Sequence, residues 1–383
     1  MNILYLVYFD VNDSDQIGVN NKIKNQVDAF RKLGHSVFLA SCIDNKFCIE
    51  EVNGKKEYDI KYGLTHYRKS VFKVLKDGLY KKIDMVYLRY PGSIDYTLFN
   101  TFKFLKKNGV GVVLEMPTYP IGGELATFLH ELWTNKRYAS FIMHSAAYGM
   151  HRIFSRSMYG YVDKIVTFMP YDDIWGIKTV RIDNGVDTDK CKTVEKKVRR
   201  DNKIILILVA RLSIWHGADR MIRGISEYYK NKGYDDIELR IVGDSALCDE
   251  LKELTNELNM TSHVKFLGAK YDNELYQEYC NADIAVGSLG MHRIKVLNGS
   301  TLKIKEYCSY GLPFILGYKE RMIDSSFKYA LSVKATDDPV DMQSVLDFYK
   351  KLKMDASDIR AMHDFAVKHY TWLAQMKEVI ASL

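Results

Sequence analysis

Proline is scarce in this 383-residue chain, 6 in all, which excludes a Pro-rich or disordered protein. Cysteine is as rare: the six, at 42, 48, 191, 248, 280 and 308, form no CxxC pair and share no metal spacing with histidine. They read as reduced thiols of a cytosolic protein rather than a zinc site or a disulfide framework. No apolar run approaches the roughly 18 residues of a membrane span. The best candidate, Tyr138 to Met150, is too short and contains His144. The opening MNILYLVYFD lacks the basic n-region and small-residue cleavage site of a secretory signal, and reads as a short buried strand. Walker A, GxGxxG, HExxH and GxSxG signatures are missing too, as is any catalytic Cys/His arrangement.

What is present is an ordinary globular balance, 47% hydrophobic and 27% charged, on a chain long enough for two domains. Lys and Arg outnumber Asp and Glu 55 to 48, a net charge of +7, and aromatic residues reach 13% with 27 Tyr and 17 Phe. A mild basic excess with many tyrosines suits nucleic acid, a phosphorylated small molecule or an anionic membrane surface. Composition does not choose among these.

Short apolar runs alternate with amphipathic stretches, the pattern of parallel sheets with crossover helices. Ile3–Phe9 reads as a strand, 20–32 as a helix closed by Gly34, and Ser36–Ala40 as the next strand. Met85–Arg89, Val110–Glu115 and Lys164–Phe168 are further strands, with an aromatic and basic helical region over Leu125–Tyr161. Asn184-Gly185 marks a turn, and Lys190–Lys203 reads as a charged, solvated linker. The alternation then restarts: strands at Ile204–Ala210, Ile237–Val242, Val264–Leu267, Ile284–Gly287 and Phe314–Leu316, and final helices from about Pro339. The expectation is α/β, two tandem doubly wound domains.

Ligands of open parallel sheets bind beyond the carboxyl ends of the strands. Arg211 directly follows one strand and can grip a phosphate with its guanidinium, or can be a surface Arg at a strand end. Gly243 follows another strand. In Asn298-Gly-Ser-Thr-Leu-Lys-Ile-Lys-Glu306, Ser300 caps a helix beginning near Thr301, and the amides of Ser300, Thr301 and Leu302 point at an anion. Glu306 falls where a carboxylate can hold a diol; an ordinary capped helix with Glu306 in a salt bridge is the other reading.

In order, these segments resemble the retaining GT-B glycosyltransferases of family four. KNQVDAFRKLGHSVFLAS, DKIVTF, VRIDNGVDTDK, LVARLSIWHGADRMIRGI, LRIVGDSA, HVKFLG, YCNADIAV and LKIKEYCSYGLPFI are similar to that family's successive strands, turns and helices over nearly the whole chain. The resemblance implies two Rossmann-like domains facing each other across a cleft: 1–187 for the acceptor, 188–362 for a nucleoside diphosphate sugar, and 363–383 as a helix crossing back, with Trp372 as a packing anchor. It implies transfer of a sugar to an acceptor hydroxyl with retention of configuration and no metal or other cofactor. Arg211 would bind the diphosphate, the Ser300–Leu302 amides the distal phosphate, Glu306 the ribose, and Gly18 the diphosphate from the other domain. Glu115, Thr118, Tyr119 and Glu124, in a segment with the EMPTYP form of bacterial surface-polysaccharide members, would touch acceptor or transferred sugar. Arg89 would line the same cleft or pair with a structural carboxylate.

Two positions depart from the family pattern. His216 stands where a phosphate-binding Lys is usual, so that charge is weaker, pH-dependent or supplied instead by Lys303 or Lys305. Asn298 stands for the first of two glutamates, so either it replaces that carboxylate's hydrogen bonds or the sugar is held differently. Two other readings stand beside transfer: a nucleotide-sugar epimerase of the same fold, and a basic nucleic-acid-binding protein, though no nucleic-acid module is present. The expected partners are a sugar nucleotide and a carbohydrate or lipid-linked acceptor, with no nucleic acid. The expected location is cytoplasmic, with residues 133–156 as an aromatic-basic contact to the inner face of an anionic membrane or as an internal packing helix.

Overall fold

Strands rich in Ile, Leu, Val and Tyr form where a run can be buried on both faces, which is what a parallel sheet covered by helices requires. The computed structural model describes the chain except residues 13–16, 44–45, 52–53, 61–63, 118, 120–128, 130–131, 188–191 and 196–202, and the side chains at 17, 18, 64, 65 and 147. It contains two compact units, Met1–Asp183 with Trp372–Leu383, and Asn184–Thr371.

In the first unit the elements run β1 (Asn2–Leu6), α1 (Ile17–Lys32), β2 (Ser36–Ile43), β3 (Lys46–Glu51), β4 (Gly54–Asp59), α2 (Leu64–Lys76), β5 (Met85–Arg89), α3 (Tyr96–Lys107), β6 (Gly111–Met116), α4 (Tyr138–Arg156), β7 (Lys164–Thr167), β8 (Asp173–Ile174) and β9 (Ile177–Arg181). The sheet order is β4-β3-β2-β1-β5-β6-β7-β9-β8. It is parallel through its centre, with the antiparallel β3 and β4 at one edge and β8 at the other. Leu4, Leu6, Val86, Leu88, Val112 and Leu114 feed one core, and Ile3, Tyr5, Tyr87 and Val113 feed the other, alternating along each strand.

The second unit continues with β10 (Ile204–Val209), α5 (Ala218–Lys230), β11 (Ile237–Val242), α6 (Leu247–Glu257), β12 (Val264–Phe266), α7 (Asp272–Asn281), β13 (Ile284–Val286), β14 (Asn298–Gly299), α8 (Leu302–Tyr310), β15 (Phe314–Leu316), β16 (Lys319–Glu320), β17 (Ala330–Ser332), α9 (Met342–Leu352) and α10 (Ala356–His369). Its sheet, β12-β11-β10-β13-β15-β17, is parallel throughout, and β14 pairs with β16 as a separate ribbon. The last helix, α11 (Trp372–Ala381), returns to the first unit, where Trp372, Met376 and Val379 join the core under α1. Gln375 accepts a hydrogen bond from the Asp183 amide at 2.7 Å, tying that helix to the last residue of the unit.

Several elements differ from the sequence expectation. The β3–β4 hairpin and helices α2 and α3 were not anticipated. Of the helical region expected over Leu125–Tyr161, the described helical residues include 132–134 and Tyr138–Arg156, ahead of a turn at Ser157. Most of the expected linker lies outside the described residues, but Val194 within it is buried and its amide bonds the Tyr310 carbonyl at 2.8 Å.

Candidate functional site

In the second unit the loops after β10 and β13 are locked together. The turn at Ile214–His216 carries a reciprocal cap: Ser213 accepts from the His216 amide, and His216 Nδ1 accepts from the Ser213 amide at 2.9 Å. The carbonyls of His216 and Trp215 accept from the amides of Leu289 and Gly290, each at 3.0 Å. Buried Arg220 adds a bond to the Leu289 carbonyl at 2.5 Å. His216 is therefore held with Nδ1 as acceptor, which leaves the proton on Nε2. Burial, with the nearby Lys303 charge, pushes its pKa down to about 3, so it is a neutral donor at ordinary pH.

Helix α8 begins one residue later than its sequence suggests. Thr301, not Ser300, is the N-cap, and no side chain caps the helix. Both hydroxyls that could do so are engaged elsewhere: Thr301 Oγ1 lies 2.6 Å from the Tyr318 hydroxyl, and Ser300 Oγ accepts from buried Lys305. The first turn of α8 thus keeps its positive end without a side-chain oxygen over it. Lys303, the second residue of that turn, adds a cation where the dipole disfavours one. Its Nζ is buried without a hydrogen-bond partner among the described residues. Burial lowers its pKa to about 7, opposed by Glu306 one turn on. Burial raises the Glu306 carboxyl in turn, opposed by Lys303.

Arg211 is exposed just beyond β10, and Gly243 follows β11 with φ +133°. A Cβ on Gly243 would sit 1.8 Å from the Ala210 carbonyl oxygen, so the two strand ends can approach only because residue 243 is glycine. Asn298 is exposed in the β14–β16 ribbon. The structure places Lys303 within electrostatic reach of both His216 and Glu306. The result is a helix N-terminus without a side-chain cap, with one buried, unpartnered lysine in its first turn, suited to an anion.

In the first unit, Glu115 of β6 is fully buried and meets no solvent. Its carboxylate takes Arg89 at 2.5 Å, the Tyr87 hydroxyl at 2.7 Å, Gln26 Nε2 at 2.8 Å and Lys22 at 3.6 Å. Burial works against its charge, but Lys22, Arg89 and these hydrogen bonds hold its pKa below the usual value. Arg89 therefore takes the structural carboxylate that its sequence context allowed for, and Glu115 positions the two cations. Lys22 also lies 3.4 Å above the Phe168 ring. Lys22, Gln26 and Tyr87 were not singled out from sequence. The readable signal was Lys22 and Gln26, four apart on a helix whose Ile23, Val27 and Phe30 are buried.

Tyr119 stacks edge-on against Tyr171 and Trp175. Thr118 and Glu124 lie outside the described residues, and Gly18 is the second residue of α1, its surroundings likewise undescribed. A cavity of about 500 Å³ between the β3–β4 hairpin and α2, lined by Lys56, Tyr58, Lys73 and Lys82 among others, touches none of these residues. Among the described residues no three His, Cys, Asp or Glu side chains are grouped to hold a metal.

Residues 189–328 match the family described as "Glycosyl transferases group 1". Two Rossmann-like α/β units in one chain are the GT-B fold of solved glycosyltransferases. A glycosyltransferase from Rickettsia africae is similar with a TM-score of 0.61 at 14% identity, covering 99% of this chain and 97% of that one. HepE from Anabaena, solved in complex with UDP, gives 0.58 at 14% over 100% of both chains. The catalytic domain of starch synthase IV from Arabidopsis thaliana, bound to ADP and acarbose, gives 0.57 at 11% over 100% of this chain and 98% of that one. No curated protein sequence matches the chain.

Proposed function

We propose that the protein is a glycosyltransferase that moves a sugar from a nucleoside diphosphate sugar to an acceptor hydroxyl with retention of configuration. The observation that carries this reading is the first turn of α8, where an N-terminus without a side-chain cap and a buried, unpartnered Lys303 both call for an anion. The group 1 match covers this unit, and solved proteins of the same fold hold UDP or ADP.

In this reading Asn184–Thr371 takes the donor. Arg211 and Lys303 bind the diphosphate, His216 donates from Nε2, the α8 amides hold the distal phosphate, and Glu306 accepts from the ribose diol. Asn298 faces the sugar end. The bond from the anomeric carbon to the diphosphate oxygen breaks as the acceptor oxygen attacks on the same face, and the acceptor proton passes to the departing phosphate. The charge that develops on the diphosphate is met by fixed cations and amides, so the step needs no bound metal. The first unit takes the acceptor, a carbohydrate or lipid-linked glycan of surface polysaccharide synthesis, near Arg89, Thr118, Tyr119 and Glu124. The expected location is the cytoplasm, against the inner face of the membrane.

The test is a panel of UDP, GDP, ADP and dTDP sugars with and without glycan acceptors, in EDTA, with the anomeric configuration of the product read by NMR. Transfer or slow donor hydrolysis supports the proposal. Inversion at sugar C2 without acceptor would make the protein an epimerase instead.

A further inference from the structure

Helix α4 buries polar groups beside Phe154 and leaves an apolar stripe on its outer face. Its inward face carries polar groups: His151 is buried, with Nδ1 facing the Ile94 amide at 3.3 Å and the Tyr90 hydroxyl at 3.4 Å, and Ser155 is buried beside it. His151 also meets the Trp175 ring, and Phe154 packs on Phe99 and Tyr96. These contacts fix the rotation of the helix. The face left to solvent, at helical spacing, is Ala139, Ile142, Met143, Ala146, Met150 and Ile153. Ile142 and Ile153 are each 67% exposed and Met143 61%. A solvent-facing helix normally places charge there; here the stripe has none for about 20 Å of helix.

The charge lies at the ends. Lys136 and Arg137 precede the stripe, Arg152 and Arg156 flank its far end, and all four are exposed. Trp133 and Tyr138, also exposed, stand at the first of these ends. From Leu132 to Val162 the sequence contains no Asp or Glu.

We infer that this face of α4 is a docking surface for an anionic lipid bilayer, lying in the plane of the membrane with its aliphatic stripe among the acyl chains and its terminal cations on the headgroup phosphates. Apolar stripe, terminal Lys and Arg, and an aromatic at the margin are what an interfacial helix uses. Among the described residues no helix is long and apolar enough to cross a membrane, so the contact is with one leaflet. A second copy of the chain fits less well. Two such helices laid together, parallel or antiparallel, bring cations against cations with no carboxylate in the segment to offset them. The inference concerns the first unit and stands whether or not the second binds a sugar nucleotide.

The experiment is co-sedimentation of the full chain with phosphatidylcholine vesicles and with phosphatidylglycerol-rich vesicles, at low and high salt. The expected result is binding to the anionic vesicles alone, weakened by salt. The triple variant Ile142→Asn, Met143→Asn, Ile153→Asn should lose at least about tenfold in partitioning, each inserted side chain supplying a part. The pair Arg152→Glu, Arg156→Glu should lose binding as well, both sets keeping the parent Tm because the altered side chains are exposed. The inference is overturned if the parent protein stays in the supernatant, or if the triple variant binds undiminished. A dimer in sedimentation velocity that the triple variant dissolves, with no vesicle binding, would assign the face to a second copy.

Discussion

Lys303 is the residue whose state most depends on a ligand. With its pKa lowered by burial to about 7, it is charged below that pH and neutral above it, while His216, near 3, stays neutral throughout. A bound diphosphate stabilises the ammonium, so binding near pH 7 to 8 should take up protons at Lys303. UDP affinity should fall as pH rises through this range, and Lys303→Gln should both weaken binding and flatten its pH dependence. Calorimetry in buffers of different ionisation enthalpy checks this; a parent protein without proton uptake would show that Lys303 does not meet the phosphate. Glu115 supports a different expectation. Glu115→Gln leaves Arg89 and Lys22 beside a neutral amide in a buried place, and breaking such a pair costs about 3–5 kcal/mol. Urea unfolding should show a loss of that size, and an unchanged midpoint would mean that water or other groups already satisfy the two cations.

At the scale of elements, the site depends on strand ends that approach closely. Gly243→Ala meets both a positive φ of +133° and the Ala210 carbonyl at 1.8 Å, so relief requires β10 and β11 to part at their C-terminal ends. A loss of about 3 kcal/mol or more is expected from chemical denaturation, together with weaker donor binding, since Arg211 leaves β10 at that point. The central strands were legible in the sequence because they are buried on both faces and read as unbroken apolar runs. The β4 strand was not: all six residues of Gly54–Asp59 are exposed, and no periodicity marks a strand held only by edge pairing. The start of α8 was misplaced by one residue because sequence shows that Ser300 and Thr301 can cap. It does not show that Lys305 and Tyr318 claim their hydroxyls. Glu115 was visible as a carboxylate after a strand, but its burial depends on Tyr87, Gln26 and Lys22, which come from two other elements.

For the whole molecule, the twelve C-terminal residues belong to the first unit although the chain has just completed the second. Trp372→Ala removes a buried ring from the core under α1 and should cost about 3–5 kcal/mol. Its effect should appear as earlier unfolding of the first unit in hydrogen exchange, with protection of β10, β11 and β13 retained. Equal loss in both units would show that they do not unfold separately. The central claim is that Asn184–Thr371 binds a nucleoside diphosphate at the α8 N-terminus. Isothermal titration of UDP, GDP, ADP and dTDP into the parent protein and into Arg211→Ala and Lys303→Gln tests it most directly. The account predicts that at least one nucleotide binds, and that each substitution weakens it by about tenfold to a hundredfold, the worth of one charge-assisted contact. Binding by none of the four, or binding that both substitutions leave unchanged, would contradict it.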